Sequence, residues 1–167
     1  VPAAQVVIAR AGGGASARAV AAAGVPVVAR TGGGVAEALG FSDGQDAPVE
    51  EMLTAASRIA RSVAVPVTID FEAGYGLPPE VVVDGLLAAG AAGCNLEDTD
   101  HGAGRLVETE RQGAWLASIR RAATARGYGR GGNRPRAGCR DQTQQGTPAL
   151  LGAAASRRRA RPSGVPG

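Results

Sequence analysis

Val67 to Gly76 reads Val-Thr-Ile-Asp-Phe-Glu-Ala-Gly-Tyr-Gly, and it holds the residues best placed to do chemistry. Its apolar, β-branched start after Pro66 predicts a buried strand. Two carboxylates, Asp70 and Glu72, follow, and the run breaks at Gly74-Tyr75-Gly76. Residues two apart on a strand share a face, so Asp70 and Glu72 are expected to project together and Phe71 the opposite way. A second stretch, Gly93 to Asp98 (Gly-Cys-Asn-Leu-Glu-Asp), repeats the pattern of a short apolar strand ending in acid. Two carboxylates on one strand end, with Glu97 on the next, repel each other unless a proton or cation sits among them. An all-oxygen cluster of this kind suits a hard divalent ion, Mg²⁺ first and Mn²⁺ as the alternative.

Elements that would position these acids can be read along the chain. Val6–Ala9 predicts a first strand, and the helix after it, with Ser16 placed to cap it, runs to about Ala23 and ends at Gly24. Val25–Ala29 predicts a second strand, and Thr31-Gly32-Gly33-Gly34 a loop of exposed backbone, with a helical turn over Val35–Leu39. A polar loop with Asp43 and Asp46 leads to Pro48, which suits a helix's first turn. Met52, Ala56, Ile59 and Val63 recur as one buried helical stripe. Val65–Glu72 is the third strand, Pro79 to Ala89 a helix, Gly93–Glu97 the fourth strand. Thr99–Val107 reads as a polar loop holding His101, and a last helix runs from Thr109 to about Ala123, with Trp115, Leu116 and Ile119 inward. Four βα units imply a parallel α/β sheet, either doubly wound or half of a (β/α)₈ barrel. Order alone leaves that choice open.

Composition narrows the class. All 18 basic residues are Arg. Residues 1–124 carry nine Arg against fourteen acids, whereas 125–167 carry nine Arg against one acid, Asp141. The chain is thus an acidic body with a basic, Gly- and Pro-rich tail, expected to be disordered. Cys94 and Cys139 make neither a disulfide framework nor a metal spacing, which points to a reducing cytoplasm. No apolar run reaches the roughly 18 residues of a membrane span, and no signal-type segment opens the chain.

Val67–Gly76 together with Gly93–Asp98 resembles the isocitrate lyase and phosphoenolpyruvate mutase family, in its mutase-like bacterial branch. That family carries an acid-x-acid-x-Gly-Tyr-Gly signature on its third barrel strand and a Glu-Asp pair ending its fourth. Ser16-Ala17-Arg18, Thr31-Gly32, Leu39-Gly40 and Asp43 fall where the family would place them. The resemblance implies a (β/α)₈ barrel, usually oligomeric, of which residues 1–124 would be the N-terminal half. It implies that Asp70, Glu72 and Glu97 hold Mg²⁺, partly through water, and that Asp70 also meets substrate. Thr31 with the Gly32 and Gly33 backbone would cradle the substrate's carboxylate or phosphonate, and Asp43 would be a catalytic loop acid. The implied activity is that of a Mg²⁺-dependent lyase or phosphonomutase on small 2-oxo or hydroxy acids, through an enolate-type intermediate.

Departures from the family pattern bear on activity. Thr99-Asp100-His101-Gly102-Ala103-Gly104-Arg105 stands where the lyases carry a loop with a Cys, so chemistry through that thiol is not expected. Asn133-Arg134-Pro135-Arg136-Ala137 lies in no strand pattern, and strands five to eight have no counterpart. Residues from about 125 onward have the Arg, Gly, Pro and Ala bias of GC-rich coding DNA read out of frame. Impaired catalysis, or a non-catalytic remnant, is therefore the alternative reading. Nucleic-acid binding through the tail is a weaker one, because no aromatic residues interleave with Ser156–Arg161.

Overall fold

The computed structural model describes residues 8–128. Four strands, β1 (Ala9–Ala11), β2 (Val28–Arg30), β3 (Val67–Asp70) and β4 (Gly93–Asn95), form one parallel sheet in chain order. The register sets Val28 beside Val67 and Asp70 beside Asn95. Chain order settles the choice left open by the alternation of elements. A doubly wound sheet reverses direction at a switch point, whereas here each strand adds to the same side, as in a (β/α)₈ barrel.

The helices are α1 (Gly14–Ala22), α2 (Gly32–Leu39), α3 (Val49–Ser62), α4 (Pro79–Ala88) and α5 (Thr109–Ala125). Pro48 precedes α3, Glu50 and Glu51 occupy its first turn, and Met52, Ala56 and Ile59 are its buried stripe. Pro79 opens α4, and Gly90, at φ +81°, turns the chain toward β4. The core divides in two. Val28, Val35, Met52, Ile59 and Val67 pack under α1, α2 and α3. Ile69, Phe71, Val82, Leu86, Leu96 and Ile119 pack under α4 and α5. Burying such aliphatic side chains contributes about 1.5–3 kcal/mol each. Among the described residues no helix is long and apolar enough to cross a membrane.

The structure corrects several expectations. Thr31–Gly34 is not an open loop: α2 begins at Gly32, with Thr31 at its N-cap. Ser16 lies inside α1, where its hydroxyl accepts from the Gly13 N–H at 3.1 Å and donates to the Gly13 carbonyl at 2.9 Å. Thr99–Val107 contains a small antiparallel hairpin, β5 (Thr99–Asp100) with β6 (Arg105–Leu106). Asp100 tightens its turn by accepting from the Ala103 N–H at 3.0 Å. The packed body also passes residue 124. Arg126 donates to Asp84 at 2.8 Å, and the Tyr128 hydroxyl donates to the Ala91 carbonyl at 3.1 Å. The basic tail from 129 onward, with Cys139 and Asn133–Ala137, lies outside the described residues.

Candidate active site at the strand tips

β3 ends at Asp70, so Glu72 is not a strand residue, and its φ is +48°. The two carboxylates nonetheless meet. A Cβ placed on Gly32 would stand 3.4 Å from Asp70 Cγ and 3.3 Å from Glu72 Cγ, so both acids close on the first residue of α2. Phe71 points the other way, into the core at 1% exposure. The Gly32 N–H donates to Asp70 Oδ2 at 3.3 Å, which ties the start of α2 to the end of β3.

Glu97 is tied to Glu72 through the backbone. The Phe71 N–H donates to the Asn95 carbonyl at 3.0 Å, and the Glu97 N–H to the Glu72 carbonyl at 2.8 Å, so pairing continues past both strand ends. Glu97 Oε1 then lies 2.5 Å from His101 Nε2, on the hairpin turn. The ring of His101 packs on Gly44, whose added Cβ would come 3.1 Å from Nδ1. Asp43, the preceding residue, presses on Gly33: a Cβ there would fall 2.7 Å from the carboxylate carbon.

Glu72 is the electrostatic centre of this group. It is 4% exposed, and Oε2 is buried without a hydrogen-bond partner. Burial pushes its carboxyl above the ordinary value; the Tyr75 hydroxyl and the Gln45 backbone draw it back, while the charge on Asp43 adds to the rise and His101 opposes it. The Tyr75 hydroxyl donates to Glu72 Oε1 at 3.1 Å, and burial beside that carboxylate pushes the phenol upward too. The Tyr75 N–H donates to Gln45 Oε1.

Arg30 supplies a buried positive charge behind the acids. At 1% exposure it donates from Nη1 to the Asp70 carbonyl at 2.7 Å and from Nη2 to the Met52 sulfur at 3.2 Å, and Nε has no partner. Burial lowers its pKa, and the fields of Tyr75, Asp70 and Glu72 counter that.

Asp70 and Glu72 therefore meet at Gly32, with Asp43 against the next glycine of α2, while the Glu97 carboxylate pairs with His101. Thr31 stands at the N-cap without a side-chain capping bond, its methyl against Gly34. Among the described residues no three His, Cys, Asp or Glu side chains stand as a ready direct ligand shell. The donor set is all oxygen, with one buried acceptor free on Glu72. A cation held there would have to keep several of its own waters, as Mg²⁺ does. Sequence reasoning missed Arg30, Gln45 and the role of Tyr75, and read His101 as a plain loop residue. A polar residue two positions from Asp43 and an aromatic between two glycines were the only local signals.

The phosphoenolpyruvate phosphomutase family profile matches residues 2–129. Among solved structures, a candidate phosphonomutase from Burkholderia cenocepacia J2315 is 38% identical, with a TM-score of 0.69 over 74% of this chain and 52% of that one. A 2,3-dimethylmalate lyase is 26% identical, with a TM-score of 0.66 over 74% of this chain and 45% of that one. The phosphoenolpyruvate phosphomutase of Streptomyces platensis subsp. rosaceus is 25% identical, with a TM-score of 0.64 over 72% and 46%. The chain thus spans about half the length of these relatives. No curated protein matches it.

Proposed function

Because the chain belongs to the phosphoenolpyruvate phosphomutase family, within the superfamily that includes isocitrate lyase, we propose that its strand tips bind a divalent cation and a small 2-oxo or hydroxy acid for lyase or phosphonomutase chemistry. The observation that carries this reading is the convergence of Asp70 and Glu72 on Gly32, with Glu72 Oε2 buried and unpartnered. A buried carboxylate with one oxygen unsatisfied is unfavourable unless a cation or donor completes it.

Asp70, Glu72 and Glu97 would hold Mg²⁺, or Mn²⁺, partly through water. Bound there, the ion would offset charge on the acid end of a substrate and on the reacting centre. The rest falls to this chain's own groups. Asp43 stands at the start of α2 as the candidate proton-transfer acid, held against Gly33. Thr31 and the Gly33 N–H, at the N-terminal end of α2, would meet the substrate's anionic group, while the Gly32 N–H already serves Asp70. Tyr75 orients Glu72, and Arg30 holds the Asp70 carbonyl.

The test is turnover of small 2-oxo and hydroxy dicarboxylic acids by the purified chain with and without Mg²⁺. Metal-dependent turnover abolished by Asp70→Ala would support the proposal. Turnover indifferent to both Mg²⁺ and Asp70 would contradict it.

A further inference from the structure

Three consecutive residues outside the β-strands lock the site together. Asp43 presses on Gly33 of α2, Gly44 carries the ring of His101, and Gln45 reaches across to the turn after β3. Gln45, Glu72 and Tyr75 are, among the described residues, the non-glycine residues with positive φ, at +69°, +48° and +56°. All three are joined in one network. Gln45 Oε1 accepts from the Tyr75 N–H, and the Tyr75 hydroxyl donates to Glu72 Oε1. A left-handed conformation costs of order 1–3 kcal/mol at a residue with a side chain and persists only where surroundings over-determine it. Here the three strained residues determine one another.

We infer that Gln45 is a positioning residue for the cation and acid site, acting through Tyr75 and Glu72. This rests on the reading of Asp70 and Glu72 given above. This network occupies Oε1 of Glu72 and leaves Oε2 as its open oxygen. An amide suits the task because its carbonyl holds the Tyr75 N–H without adding another negative charge beside Asp43 and Glu72. A purely local loop contact would have no reason to close on the carboxylate that faces Gly32.

The experiment compares the purified wild-type chain with Gln45→Met, which keeps the shape and loses the acceptor, and Gln45→Glu, which keeps the acceptor. Gln45→Gly is the folding control, since glycine relieves the positive φ while also losing the acceptor. The readouts are Mg²⁺ affinity by calorimetry, amide hydrogen exchange at Tyr75 and thermal melting. Gln45→Met and Gln45→Gly are expected to weaken Mg²⁺ binding about tenfold or more, as loss of an orienting partner does. Tyr75 exchange should quicken in both, stay slow in Gln45→Glu, and proceed without collapse of the melt. Wild-type Mg²⁺ affinity retained in Gln45→Met and Gln45→Gly would overturn the inference and leave the functional reading standing. So would an unchanged Tyr75 exchange rate. A wild-type chain that binds no Mg²⁺ would overturn both.

Discussion

Gly33 and Asp43 are in a contact that only glycine permits: a Cβ on Gly33 would lie 2.7 Å from the Asp43 carboxylate carbon. Gly33→Ala must therefore push Asp43 away from the start of α2. Overpacking of this kind costs about 1–3 kcal/mol, and we expect a urea midpoint lowered to match, with turnover reduced at least tenfold if Asp43 moves protons. Adding Asp43→Ala should recover the stability but not the activity. Additive stability losses in the double variant would show that the two residues are not coupled.

Burial holds the Glu72 carboxyl above its ordinary value of 4.5. The folded state then binds more protons than the unfolded chain between those two values. Glu72's favourable contribution is complete below the unfolded pKa and is lost as pH rises through the folded one. Measured without metal, wild-type stability should fall relative to Glu72→Gln as pH climbs from about 4 toward neutrality. Mg²⁺ should reverse that difference, since its ligands must be ionised. Parallel stability curves for the two proteins, with and without Mg²⁺, would contradict this.

Gly74 sits at φ +85° against the indole of Trp115, where an added Cβ would come 2.7 Å from Cη2. Gly74→Ala combines a disfavoured backbone with overpacking, so a loss of about 2–4 kcal/mol is expected in denaturant unfolding. The variant should also shift Trp115 fluorescence, because the ring must move. A loss below about 0.5 kcal/mol would place the turn elsewhere.

Among the described residues β1 and β4 each pair with a single neighbouring strand, which leaves two parallel-sheet edges. Open edges recruit further strands. Sedimentation velocity on the purified chain should therefore show species larger than a monomer, with the share rising with concentration. A single monomeric species that melts cooperatively would contradict that expectation.

Periodic and punctuated residues were legible in the sequence. Met52, Ala56 and Ile59 announced the buried face of α3, and Gly24 and Gly90 mark where α1 and α4 give way to the next strand. The pairing of Asp70 with Glu72 was legible as well, although by a different route, since Glu72 turns in through a positive φ and not along the strand. What stayed hidden depended on distant partners. Gly32–Gly34 has poor helix propensity, yet it opens α2, and the need for glycine there comes from Asp70 and Glu72 against Gly32, Asp43 against Gly33 and Thr31 against Gly34. Nothing local announces the burial of Arg30, whose guanidinium donates to the Met52 sulfur and the Asp70 carbonyl, 22 and 40 residues away in sequence. His101 reads as a loop residue because its packing on Gly44, 57 positions earlier in the sequence, has no local signal, although its partner Glu97 lies only four residues before it.

Calorimetric titration of Mg²⁺ into the wild-type chain, Asp70→Ala and Glu72→Ala tests the central claim most directly. One saturable site on the wild-type protein, weakened at least tenfold in each variant, is the predicted result. Equal heats for all three proteins, or none for the wild type, would contradict a cation site at these strand tips.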